Sequence, residues 1–112
     1  MDNRKDDRYY AQKIIEDLKI IIENTKGASK EDLKINSILC DSVLFRIIQI
    51  SESTDKLTES FKANYPTIPW RAIKGMRNRI VHEYGTVDIG VVFTTVTKDV
   101  PDLYNQLTNE IG

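Results

Sequence analysis

Two long stretches of the chain place apolar residues at alternating three- and four-residue steps, and this spacing limits the fold more than any other feature. From Tyr9 to Asn24 the stripe is Tyr10, Ile14, Leu18, Ile21 and Ile22, broadened by Ile15. Lys13, Glu16, Asp17, Lys19 and Glu23 take most of the remaining positions. The pattern predicts an amphipathic helix, because these steps return to one side of a helix of about 3.6 residues per turn. A second stripe runs through Ile38, Leu39, Val43, Leu44, Ile47, Ile48 and Ile50 and continues to Leu57 and Phe61, with neither Gly nor Pro inside. One helix of about six turns is expected there.

Punctuation between the stripes is equally legible. Lys26-Gly27 ends the first helix, glycine being the residue that most readily closes a helix. Ser29 with Asp32 three residues later has the spacing of a capping box opening a short helix over Asp32 to Ile35. Tyr65-Pro66-Thr67-Ile68-Pro69 is the clearest break, since both prolines resist continuation of a helix, and Pro69 suits the first position of the next one. That helix is expected from Pro69 to Glu83 or Tyr84, with Gly85 closing it. Val91 to Thr97 is β-branched and aromatic, which locally favours a strand. A lone strand would leave its backbone groups without partners, so a helix capped by Asp88 is expected instead. Pro101 starts or kinks a last helix carrying Leu103, Leu107 and Ile111. The sum is an all-α, antiparallel up-and-down bundle of four to five main helices, forming a single domain over residues 1–112.

Composition narrows the function classes. A formal net charge of −1 excludes a protein that coats nucleic acid through overall charge, although it leaves room for a local basic patch. Cys40 is the single cysteine, so neither an internal disulfide nor a cysteine-rich zinc site is expected. Its apolar neighbours Ile38, Leu39 and Val43 give it a structural role and fit a reducing cytoplasm. The charged N-terminus does not read as a signal peptide, and no apolar run approaches the length of a membrane span.

The chemistry concentrates around the single histidine, His82. Arg71, Lys74, Arg77 and Arg79 precede it, and no acid occurs from Trp70 to Val81. Such a strip is often only a solvated helix face. On a continuous helix of about 100° per residue, Asn78 and His82 lie one turn apart on one face. Arg77 and Tyr84 then share the side of Ile73, Ile80 and Val81, so Arg77 is expected to point toward the apolar face, where it needs a partner or ligand. Arg77 and His82 diverge by roughly 140° on the same count, so they converge only through long side chains at a groove or with a second subunit. Arginine with histidine suits phosphodiester chemistry: one clamps phosphate and the other moves a proton. On RNA the substrate's own 2′-hydroxyl can attack, so neither a metal, a cofactor nor a protein nucleophile is required. Glu83 and Asp88 with one imidazole are thin support for a metal site, and Trp70 reads as a packing residue rather than a base-stacking platform.

The stretch from Tyr65 to Tyr84 closely resembles the signature of HepT-like proteins, which belong to the HEPN superfamily of prokaryotic helical domains. Their motif of Arg, a polar residue, three more residues, His, any residue and Tyr fits Arg77, Asn78, His82 and Tyr84 in register. The lead-in from Pro66 through Pro69-Trp70-Arg71 and the Gly75-Met76 pair also fit, and similarity extends to Ile15-Glu16-Asp17, Thr25-Lys26-Gly27 and Val100-Pro101-Asp102-Leu103. One departure is visible: Ile50-Ser51-Glu52-Ser53 stands where the family usually has Ile-Gly-Glu-Ala, so Ser51 replaces a glycine suited to close helix approach.

The resemblance implies a homodimeric toxin of a toxin–antitoxin pair, acting as a metal-independent endoribonuclease. Arg77 and His82 would be the catalytic pair with Asn78 assisting, and Arg71, Lys74 and Arg79 would bind RNA. The two motif copies would lie near the dimer interface, in keeping with a chain of 112 residues that is small to enclose a site alone. The implied partner is a minimal nucleotidyltransferase antitoxin, able to transfer AMP to the motif tyrosine, here Tyr84. The added nucleotide would bring bulk and negative charge beside Arg77. The alternatives are a non-catalytic HEPN module that binds a nucleotidyltransferase partner, nucleotide or RNA, and a helical structural protein with a coincidental motif.

Overall fold

In a computed structural model the described residues are 5–82 and 86–112. Three long helical elements dominate them. The first, α1, spans Asp7–Thr25 and is capped by Asp6, whose carboxylate accepts from the Tyr9 amide. Helix α2 (Lys30–Ile35) opens with the expected capping box: the Asp32 amide donates to the Ser29 hydroxyl at 3.0 Å, and the Ser29 amide donates to the Asp32 carboxylate at 2.8 Å. Those two bonds hold the Asp32 carboxyl below the usual carboxylate range. Between α1 and α2, Gly27 takes φ +76°, a conformation that L side chains rarely adopt.

Helix α3 runs over Ser37–Lys56 and is shorter than expected. Leu57 is extended and buried, and Thr58 starts a separate short helix α4 (Glu59–Ala63) by accepting from the Phe61 amide. The Thr58 amide and hydroxyl both donate to Asp7, at 2.8 and 2.7 Å, so a contact with the start of α1 fixes this corner. No pattern in apolar residues alone encodes that stop.

The expected helix from Pro69 to Glu83 or Tyr84 is corrected most. It divides into α5 (Trp70–Lys74) and α6 (Met76–Ile80), with Gly75 between them. At the interruption the Ser51 hydroxyl donates to the Lys74 carbonyl at 2.7 Å, and Asp55 pairs with the Lys74 ammonium at 2.7 Å. Ser51, which departs from the family pattern, therefore satisfies a carbonyl at the helix break. Beyond Ile80 the chain extends: Val81 forms an antiparallel bridge with Val87, the His82 amide donates to the Thr86 carbonyl at 2.8 Å, and the Asp88 amide to the Ile80 carbonyl at 3.0 Å. Those bonds supply the partners that a continued helix would have supplied.

The segment with strand propensity is helical, with the expected cap: the Val91 amide donates to the Asp88 carboxylate at 3.1 Å. Helix α7 (Ile89–Thr94) passes without a gap through a π-helical stretch, Thr95–Asp99, into α8 (Val100–Glu110). Pro101 follows directly on the π-helical stretch, in the first turn of α8.

Helix α1 packs against α3 and α8, α3 against α5 and α6, and α2 against α3 and α7. Ile14, Leu18 and Ile21 meet Val43, Ile47 and Ile50, joined by Ile73, Met76, Ile80, Val92, Val100 and Leu107. Each such side chain contributes about 1.5–3 kcal/mol of burial. The fold class is thus all-α, but three long elements with short connecting helices replace four to five comparable ones. Asp17 also departs from expectation. It is buried rather than on the polar face of α1, held by Lys13 at 3.2 Å and Arg46 at 2.8 Å. Cys40 is buried, and burial with the nearby Asp41 charge pushes its thiol pKa up, as suits a structural thiol. Trp70 is half-buried against Phe61, and its indole N–H donates to the Lys62 and Tyr65 carbonyls, so it packs as expected. No helix among the described residues is long and apolar enough to cross a membrane.

Candidate functional site

The end of α6 and the bridge after it position the histidine. Because the helix stops at Ile80, His82 lies outside it, and the one-turn relation with Asn78 does not hold. Its side chain is 54% exposed, with Nε2 3.7 Å from Oδ2 of Asp88. Asp88 thus does two things: Oδ1 caps α7 and Oδ2 faces the imidazole. Sequence reasoning found only the cap. The signal that could have found the second role is the six-residue spacing of His82 and Asp88 around a break, which is informative only if the chain doubles back there.

Arg77 is also corrected. It is exposed rather than turned to the apolar face, and its Nη1 donates to Oδ1 of Asn78 at 3.2 Å. The buried residues of α6 are Met76 and Ile80, four apart, which leaves Arg77, Asn78 and Arg79 to solvent. Tyr84 and Glu83 lie outside the described residues.

The basic strip does not form one surface. Arg71 and Lys74 border a groove of about 380 Å³ with Lys62, Trp70 and Glu59. Arg79 borders different grooves, on the side of Asp88 and Asp99. Arg71 and Lys74 stand on α5 and Arg79 on α6, from which its Nη2 reaches back to the Ala72 carbonyl at 3.4 Å. In the first groove Glu59 pairs with Lys62 at 3.0 Å, and the Lys74 ammonium, by hydrogen bond and charge, holds the Asp55 carboxyl below its usual range.

The arrangement defines an all-α protein whose cationic short helices lead to an exposed, carboxylate-paired histidine. The chain belongs to the ribonuclease HepT-like family, whose pattern matches residues 14–109. It is 30% identical over 103 residues to "Putative RNase TTE0752" of Caldanaerobacter subterraneus subsp. tengcongensis, covering 92% of each chain. It is 34% identical over 99 residues to "Probable ribonuclease HepT" of Thermococcus cleftensis, covering 84% of this chain and 86% of the relative. It is also 34% identical over 104 residues to "Gamma-glutamylcyclotransferase and putative RNase MJ0434" of Methanocaldococcus jannaschii. That match covers 93% of this chain but 47% of the relative, so the chain spans about half of that longer protein. No solved structure matches the chain.

Proposed function

We propose that this chain is a metal-independent endoribonuclease toxin, held in check by a minimal nucleotidyltransferase antitoxin. The observation that carries the proposal is the exposed His82–Asp88 pair following a helix with exposed Arg77 and Asn78, in a chain of the ribonuclease HepT-like family. In the reaction, the RNA 2′-oxygen attacks the adjacent phosphorus, a P–O2′ bond forms, and the bond to the 5′-oxygen breaks. The proton leaves the 2′-hydroxyl and one is delivered to the departing 5′-oxygen. His82 is suited to that transfer, because its imidazole is exposed and each ring nitrogen can hold or release a proton. Asp88 orients the ring and pairs with it when it is protonated. Arg77 clamps the phosphate oxygens and stabilises the charge that develops on them. Asn78, bonded to Arg77, positions the guanidinium. Arg71 and Lys74, in a groove with Lys62, bind flanking phosphates, and Arg79 contacts RNA on the other side.

Arg77 and His82 leave α6 and its extension separately, and a second copy of the chain brings the two motifs to one substrate as a homodimer. The antitoxin silences the toxin by transferring AMP to Tyr84, which adds a negative charge that competes with RNA phosphate. The test is cleavage of RNA by the purified chain in EDTA. Wild type cleaves, His82→Ala and Arg77→Ala do not, and a substrate with 2′-deoxy at the cleaved position is resistant. Equal background cleavage by wild type and His82→Ala would refute the enzyme. Relief of growth arrest by the partner that is retained in Tyr84→Phe would refute the modification step.

A further inference from the structure

A groove of about 470 Å³ runs from Asp88 past Arg79 to the π-helical stretch, where Thr95 and Asp99 border it. A second of about 230 Å³ shares Arg79 and Asp99 and ends at Asp102. The first lies in the usual size range of small-ligand clefts, ~300–1,000 Å³. It begins at the residue that faces His82, because Asp88 contributes to both. Thr95 is 2% exposed and borders the groove. The Asp99 carboxylate, half-buried, borders both grooves. Arg79 makes one long bond, from Nη2 to the Ala72 carbonyl at 3.4 Å. Thr95 and Asp99 are the first and last residues of the π-helical stretch, a distortion frequent at functional sites.

The charge pattern selects the ligand. Asp88, Asp99 and Asp102 oppose Arg79, with the Lys30 ammonium at the edge beside Gly90. Three carboxylates make this a poor track for phosphates, which suit the groove of Lys62, Arg71 and Lys74. A carboxylate beside a guanidinium matches a base edge that places donors next to acceptors. Guanine alone among the four bases offers a carboxylate two adjacent donors, N1–H and the N2 amine, and a guanidinium two acceptors, O6 and N7.

We propose that the groove between α6 and the α7–π turn is a base-recognition pocket that takes a guanine of the RNA next to the His82 site, with Asp99 and Arg79 reading it. This rests on the ribonuclease reading for its place beside the cleaved phosphate, but the pocket is tested by binding alone. The probe is a fluorescent RNA pentanucleotide with one central guanosine, compared with the same oligomer carrying adenosine, cytidine, uridine or inosine. His82→Ala protein prevents cleavage, and anisotropy reads affinity. The guanosine oligomer is expected to bind about tenfold tighter than the others, with inosine, which lacks the N2 amine, losing most of the gain. Asp99→Asn, shown by circular dichroism to be folded, should bring the preference within about twofold. Equal binding of all oligomers, no binding of any, or an unchanged preference in folded Asp99→Asn overturns the pocket. Mapping wild-type cleavage separates the two readings. Cleavage without a guanine neighbour overturns the pocket alone, whereas guanine-selective binding without cleavage overturns the ribonuclease and sustains the pocket.

Discussion

Asp88 carries two roles on two oxygens, and substitutions can separate them. Oδ1 caps the helix that runs without a gap from Ile89 to Glu110, and Oδ2 stands 3.7 Å from His82 Nε2. Removing an N-cap carboxylate costs about 1 kcal/mol. A chain of 112 residues unfolds with an entropy of about 0.24 kcal/mol/K, so Asp88→Ala should lower Tm by about 4 °C. Asparagine caps as well as aspartate, so Asp88→Asn should keep Tm within about 1 °C of wild type. The charge facing His82 is gone in both variants. At 3.7 Å, in the water-like dielectric that suits side chains 54% and 43% exposed, unit charges attract by about 1.1 kcal/mol. If protonated His82 is needed in the transition state, cleavage by either variant should fall about sixfold. Differential scanning fluorimetry and initial rates on one RNA in EDTA read the two effects. Full activity in Asp88→Asn would refute a role for the carboxylate at His82. An unchanged Tm in Asp88→Ala would refute the cap.

Further perturbations follow from contacts outside the His82–Asp88 pair. Ser51→Ala removes the hydroxyl bond to the Lys74 carbonyl at the break before α6, and should cost about 1 kcal/mol in urea unfolding. Ser51→Gly, although glycine is the usual family residue there, should cost about 0.5–1 kcal/mol more, because glycine is a poor residue inside a helix such as α3. The capping box at Ser29 lowers the folded-state pKa of Asp32, so its stabilisation is fully present above the ordinary aspartate value of about 4 and is lost as pH falls through the depressed folded value. Between pH 5 and pH 3 wild type should therefore lose more stability than Asp32→Asn, measured by thermal melts across that range.

What was legible in the sequence was local. The Ser29–Asp32 box and the Asp88 cap depend on residues three apart, and both formed as read. The buried stripes of α1 and α3 also formed, because apolar spacing specifies which side of a helix leaves water. Asp17 was misplaced for a complementary reason: its partner Arg46 is 29 residues away, and only that pairing lets a carboxylate enter the core beside Lys13. The stop after Lys56 and the turn at Thr58 depend on Asp7, 51 residues distant.

The same division runs through the site. The motif residues Arg77, Asn78 and His82, and the run of cations without an acid from Trp70 to Val81, are properties of the sequence by itself, and so is the helical class. Which way those residues face is not. A continuous helix placed Arg77 inward and Asn78 in line with His82, but the break at Gly75 and the bridge of Val81 to Val87 expose Arg77 and free His82 from the helix. The cations border separate grooves, one at Lys62 and one at Asp99. Helix periodicity depends on near neighbours and can be read one turn at a time. The end of a helix depends on what else is available to its carbonyls, and here the amides of Asp88 and the hydroxyl of Ser51, supplied only once the chain has folded back, make the difference.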